Sequence, residues 1–94
     1  MSAIRAWDTG VPLDVETGVD ISDATFVEII MVRDGGGPRL VHTAAVALTT
    51  RVRWTPTVAT DIPRDGTWLV QAHIIQPTKN RRTDPATLAV GPVL

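Results

Sequence analysis

Residues 67–76 read Thr67-Trp68-Leu69-Val70-Gln71-Ala72-His73-Ile74-Ile75-Gln76. In an extended chain, successive side chains point to opposite faces. Trp68, Val70, Ala72 and Ile74 therefore share one side, and Leu69, Gln71, His73 and Ile75 share the other. The β-branched and aromatic content predicts a strand. The Trp68 side is uniformly apolar, so it is expected to face a core.

Working outward, Thr25-Phe26-Val27-Glu28-Ile29-Ile30-Met31-Val32-Arg33 has the same character and ends in the turn signal Asp34-Gly35-Gly36-Gly37-Pro38. Its inward set is Val27, Ile29 and Met31. The run from Arg39 to Leu48 continues as an extended segment. Thr49 to Thr55 then alternates strictly, with Val52 and Trp54 opposite Arg51, Arg53 and Thr55. Pro56 and Pro63 bracket a connection unsuited to a central strand. Asp65-Gly66 and Pro77-Thr78-Lys79-Asn80 are turns. A last extended segment, about Arg82 to Val90, is interrupted by Pro85 and belongs at an edge. Ile4 to Trp7 and Val11 to Val15 are short strands at the front. No stretch has helical spacing, and Ser22-Asp23-Ala24 is at most a short turn. About seven short strands with regular turn signals predict an all-β, antiparallel sandwich.

The chain has 94 residues, so a single domain over residues 1–94 is expected. Such a domain has a thin core. Hydrophobic residues make up 44%, too many for a disordered chain. The formal net charge of −1 argues against a nucleic-acid partner, which calls for a basic surface. There is no cysteine, which excludes disulfides, a thiolate nucleophile and a cysteine zinc site. No apolar run approaches the ~20 residues of a membrane helix, and Met1-Ser2-Ala3-Ile4-Arg5 begins no signal peptide. A soluble protein made in the cytoplasm, without a membrane partner, is the expectation.

The alternation also leaves apolar residues pointing outward: Leu69 and Ile75 on one strand, and Phe26, Ile30 and Val32 on another. Several such residues on adjacent strands would form a protein-contact patch. The competing reading is that loops or terminal segments cover them. Lys79, Arg81 and Arg82 form a small basic cluster at a turn, either a solvated tip or a surface for an acidic partner. The protein-contact candidates are Phe26, Ile30, Leu69, Ile75, Arg81 and Arg82. Trp7, Trp54 and Trp68 are expected as core anchors.

Signals for chemistry are sparse. Asp8-Thr9-Gly10 is the tripeptide of aspartic proteases, whose retroviral members are all-β homodimers sharing a proton between two carboxylates. Ala89-Val90-Gly91 and Gly35-Gly36-Gly37 echo other parts of that family, but the residues flanking the tripeptide do not fit. An Asx-type turn with glycine at positive φ explains it more simply. His42 and His73 are the only histidines and do not supply a zinc site; each is expected at an outward polar position. Neither Ser2 nor Ser22 sits in a nucleophile elbow, and Ser22 reads as a turn residue. The three glycines precede no helix, which excludes a phosphate loop. No catalytic, cofactor or metal residue is therefore assigned.

The order of motifs is nevertheless distinctive. It includes Asp8-Thr9-Gly10, Val19-Asp20-Ile21-Ser22-Asp23-Ala24-Thr25, Arg33-Asp34-Gly35, Val52-Arg53-Trp54-Thr55-Pro56, and Asp61-Ile62 followed by Asp65-Gly66-Thr67-Trp68-Leu69-Val70-Gln71-Ala72. This series resembles the small immunoglobulin-like domain at the N-terminus of baseplate upper proteins and related tail, neck and fibre-attachment proteins of tailed phages. The resemblance implies an immunoglobulin-like β-sandwich without catalytic residues. It further implies a virion structural protein that docks on other virion proteins in a symmetric, multi-copy assembly. In multidomain relatives a fibre or receptor-binding region follows this domain. Here the sequence stops at Leu94, which implies a subunit that decorates or joins a virion part. The competing functions are a homodimeric aspartic protease using Asp8-Thr9-Gly10 and a host-encoded binding module.

Overall fold

The structure, a computed structural model, describes residues 9–57 and 65–91. They form eight strands and no helix: β1 (Leu13–Glu16), β2 (Phe26–Arg33), β3 (Leu40–Thr43), β4 (Ala45–Ala47), β5 (Arg51–Trp54), β6 (Gly66–Gln76), β7 (Lys79–Arg82) and β8 (Ala86–Val90). A three-stranded sheet, β1-β5-β4, packs on a five-stranded sheet, β3-β2-β6-β7, with β8 also paired to β6. Every pairing is antiparallel. This is the strand order of an immunoglobulin-like sandwich, B-E-D facing C′-C-F-G. The strand expected at Ile4–Trp7 lies outside the described residues, as does most of the connection between Pro56 and Pro63.

The expected alternation holds along both central strands. They pair from Phe26↔Ile75 through Arg33↔Trp68, so the apolar sets of β2 and β6 point the same way. Trp68 is only 2% exposed, and Val70, Ala72, Ile74, Val27, Ile29 and Met31 are buried with it. Leu13, Val52 and Trp54 complete the core from the three-stranded sheet. Each fully buried aliphatic side chain contributes roughly 1.5–3 kcal/mol of transfer free energy.

Two breaks raise the strand count above the expected seven. The run 39–48 is not one strand. It divides at Ala44, whose N–H donates to the Val27 carbonyl at 3.1 Å, and β3 and β4 then join different sheets. The second break is a bulge in the last segment. His73 pairs with Arg82 and Val70 with Ala86, so two residues of β6, Gln71 and Ala72, face three: Thr83, Asp84 and Pro85. The extra residue shifts the alternation by one, so Arg81 and Leu88 both point inward despite their odd and even numbers. Thr83 closes the gap: its hydroxyl accepts the Ala72 N–H at 3.0 Å, and its carbonyl accepts Gln71 Nε2 at 2.7 Å. Pro85 has no N–H to donate, which suits a bulge on an edge.

The expected outward position of His42 is corrected. His42 pairs with inward-facing Ile29, and its ring stacks on Trp54 with centroids 4.0 Å apart and planes 11° from parallel. A flat aromatic ring fills the space between the sheets where β3 borders the core, and its heteroatoms do not prevent that.

Two turn positions are governed by the left-handed region. Gly66 has φ +117°, and a Cβ there would stand 3.2 Å from Arg33 Nε, which itself donates to the Asp65 carbonyl at 2.9 Å. In the β4–β5 connection, Leu48 and Thr49 have φ of 52° and 61° without being glycine. The Thr49 carbonyl accepts the Ile21 N–H at 2.8 Å, which ties this loop to the β1–β2 connection. The two sites predict opposite outcomes. Gly66→Ala is expected to lower unfolding free energy by roughly 1–3 kcal/mol, and Thr49→Gly to raise it by up to about 1 kcal/mol. Urea unfolding of both variants, read by tryptophan fluorescence, tests the pair.

Candidate protein-contact surface

The outward sets of the two sheets differ in chemistry. On the three-stranded sheet, Asp14 and Glu16 of β1 stand opposite Arg53 and Arg51 of β5. Arg53 grips Asp14 with two bonds, Nε to Oδ1 at 2.7 Å and Nη2 to Oδ2 at 2.9 Å. Arg51 Nε reaches Glu16 Oε1 at 3.1 Å. The small residues Ala45 and Ala47 of β4 flank the arginines. This face satisfies its own charges and is suited to water.

The five-stranded sheet presents apolar groups in two patches. At one end Phe26 and Ile75 are cross-strand partners. At the other, Val41 of β3 pairs with Ile30, and Val32 pairs with Leu69. Phe26, Leu69 and Val41 are 38%, 41% and 46% exposed. A polar row separates the patches: Thr43, Glu28, His73 and Arg82 are successive cross-strand neighbours. His73 Nδ1 lies 2.9 Å from Glu28 Oε1, and Nε2 lies 2.7 Å from Asn80 Oδ1, so the ring is fixed on both sides. A carboxylate only accepts, so Nδ1–H is the donor of that bond. Nε2 meets an amide whose two ends can donate or accept.

The sequence-based contact candidates separate in space. Phe26 and Ile75 meet in one patch, and Leu69 lies in the other. Arg82 is exposed in the row beside His73. Ile30 is corrected: it faces outward but is only 5% exposed. It sits mid-strand between Val41 and Gln71, with Glu28 and Val32 on either side along β2, and these neighbours shield it. Arg81 is half-buried. It pairs with inward-facing Ile74, and its Nε is buried without a hydrogen-bond partner.

Sequence reasoning missed Val41 and Leu48. Leu48 is 70% exposed at the strained tip of the β4–β5 loop. Val41 was readable as outward only once β3 was registered on β2. Of Asp8-Thr9-Gly10, Asp8 lies outside the described residues. Gly10 has φ +76°, and its N–H donates to the Pro56 carbonyl at 2.9 Å, as a turn glycine would. Ser22 is a turn residue, its N–H bound by Asp20 Oδ1 at 2.9 Å. Among the described residues no group of three or more His, Asp or Glu is placed to hold a metal ion, and no helix is long and apolar enough to cross a membrane. Comparison of the chain with protein-family models, curated proteins and solved structures returns no match.

Three carboxylates are held below their usual range. For Asp14 the main cause is the Arg53 hydrogen bond; for Glu16 it is the Gly18 N–H, then Arg51; for Asp20 it is the hydrogen bonds of Ser22. A depressed carboxylate stabilises the fold above the unfolded-state value near 4 and loses that contribution as pH falls through the lower folded value. The contribution of these three carboxylates is therefore expected to be constant from neutral pH down to about 5 and to decline below about 4. Asp14→Asn combined with Glu16→Gln should flatten the decline, converging with the parent protein at the acid end. Thermal melts across pH measure this.

Proposed function

We propose that the chain is a non-enzymatic structural protein of a tailed-phage particle. In this reading it docks through the outer face of its five-stranded sheet on other virion proteins. The observation that carries the docking surface is the pair of outward apolar patches, exposed Phe26 beside half-buried Ile75, and exposed Val41 and Leu69 beside half-buried Val32, on paired strands of one sheet. Exposed apolar groups clustered on adjacent strands lower their free energy when a partner removes them from water. The motif series from Asp8-Thr9-Gly10 to Gln71-Ala72, with its resemblance to the immunoglobulin-like domain of baseplate, tail and neck proteins, supports the setting.

The chemistry of the patch suits that role. The polar row of Glu28, His73 and Arg82 between the two apolar areas, with the His73 ring held by Glu28 and Asn80, sets register and excludes ill-matched partners, while the apolar areas supply the attraction. Many copies in a symmetric array make modest individual contacts sufficient, because neighbours raise one another's effective concentration. The backbone requires no motion to bind, since both patches lie on paired central strands.

The test is incorporation. Phe26→Ser combined with Leu69→Ser should leave the melting temperature within a few degrees, because surface substitutions change stability by only about 0.5 kcal/mol each. The same variant should be lost from density-purified particles that carry the parent chain, as read by mass spectrometry. Incorporation at the parent level, or absence of the parent chain from particles, overturns the proposal.

A further inference from the structure

The outward side chains of the five-stranded sheet come in cross-strand pairs along the β2–β6 ladder: Phe26 with Ile75, Glu28 with His73, Ile30 with Gln71 and Val32 with Leu69. A twofold axis lying over this ladder, parallel to the strands, sets each outward residue of β2 against its own ladder partner in a second copy. Phe26 then meets Ile75 and Val32 meets Leu69, so apolar groups cover apolar groups at both ends of the face. Ile30 meets Gln71, whose amide already donates to the Thr83 carbonyl at 2.7 Å.

The charges on the face follow the same symmetry. Glu28 of β2 and Arg82 of β7 lie on opposite sides of that axis. The rotation carries Arg82 of the second copy over Thr43, one strand spacing (about 4.8 Å) from Glu28. That guanidinium offsets the approach of the two Glu28 carboxylates across the axis. Arg82 is exposed, and among the described residues it has no ion pair, unlike Arg51 and Arg53. A twofold axis running across the strands would instead set Glu28 on Glu28 and Arg82 on Arg82, which like-charge repulsion opposes. Four strands about 4.8 Å apart and about eight residues long at 3.4 Å each make a face of roughly 500 Å². Two such faces give roughly 1,000 Å², the lower limit of a specific interface.

We infer that the occupant of this face is a second copy of the chain, packed face to face about a twofold axis along the β2–β6 ladder. Phe26 packs on Ile75, Val32 packs on Leu69, and Arg82 reaches Glu28 across the interface. The inference rests on the reading of this face as a docking surface and narrows its occupant to another copy. The two facing sheets stand about 10 Å apart with strands nearly aligned, as the two sheets of a sandwich do. The small area makes the dimer weak in dilute solution, and it fills where a particle holds copies side by side.

Sedimentation of the parent chain should show reversible dimers forming below ~1 mM. Amide resonances that move with concentration should map to the outward positions of β2 and β6. Two variants at exposed positions test the axis. Thr43→Arg sets like charge against Arg82 of the second copy, and Arg82→Glu sets like charge beside Glu28. Each alone should weaken dimerisation about tenfold or more, with a melting temperature within a few degrees of the parent. An equimolar mixture of the two should recover dimers, because the substituted positions then face each other with opposite charges. Docking on a different protein gives no such recovery. A parent chain that stays monomeric at ~1 mM, shifts confined to other surfaces, or a mixture no better than either variant overturns the inference. A monomeric parent whose Phe26→Ser, Leu69→Ser variant is still lost from particles keeps the docking face and assigns it to a different protein. Dimers of a chain absent from particles keep the inference and reject the phage setting.

Discussion

The β2–β6 ladder is the constraint on which the rest of the molecule depends. Its register, fixed from Phe26↔Ile75 to Arg33↔Trp68, aligns two apolar sets on one side of one sheet. A slip of one residue would turn Trp68, Val70, Ile29 and Met31 out to water together, so burial and register enforce each other. The shorter strands take their places from this pair. β3 extends β2, β7 and β8 extend β6, and the three-stranded sheet closes over Trp68 and Met31 with Leu13, Val52 and Trp54. Strands of three or four residues, such as β4 and β1, have too little area of their own to be stable without that support.

The edges of the five-stranded sheet are handled by local irregularity. At one edge the chain leaves after Thr43 and crosses to the other sheet through Ala44, which keeps β3 short. At the other, the bulge at Thr83–Pro85 breaks a long edge into two pieces and replaces a backbone acceptor with the Thr83 hydroxyl. Both devices limit sheet-to-sheet aggregation. The bulge has a further consequence: by reversing the alternation it sends Arg81 inward and Arg82 outward, giving two adjacent arginines unrelated environments.

Much of the fold was legible because period 2 is a strong signal wherever one face is buried. The inward sets of β2 and β6, the outward arginines of β5, the turns at Gly35–Gly37 and Asp65–Gly66, and the edge position implied by Pro85 all follow from residue type and spacing. The misses have a common physical origin. Ala44 carries no side-chain signal that separates a sheet crossover from a continuing strand. His42 is polar by type but flat and aromatic, so it stacks on Trp54 inside. Ile30 and Val32 are alike in sequence, and only the neighbours across the sheet determine that Ile30 is shielded. The inward turn of Arg81 depends on a bulge whose extra residue is visible only in the pairing. On the outer side of the five-stranded sheet, residue type and spacing placed Phe26 and Leu69 outward, where they are exposed, but did not reveal exposed Val41 or the Glu28–His73–Asn80 bonds.

The contrast between the two outer faces gives the molecule a polarity that composition conceals. With 9 basic and 10 acidic residues the chain is nearly neutral, yet its charges are not spread evenly. Asp14, Glu16, Arg51 and Arg53 neutralise one another on the three-stranded sheet, where exposed ion pairs add little stability but keep the surface hydrated. The five-stranded sheet spends its outward positions on Phe26, Val32, Val41, Leu69 and Ile75 around one fixed polar row. Desolvating the first face would strip water from four charges and gain little apolar contact, whereas desolvating the second removes water from apolar side chains and leaves the Glu28–His73–Asn80 bonds intact. The free-energy difference between covering one face and covering the other is therefore set by the sequence of two strand pairs. It orients the sandwich before any specific partner is considered.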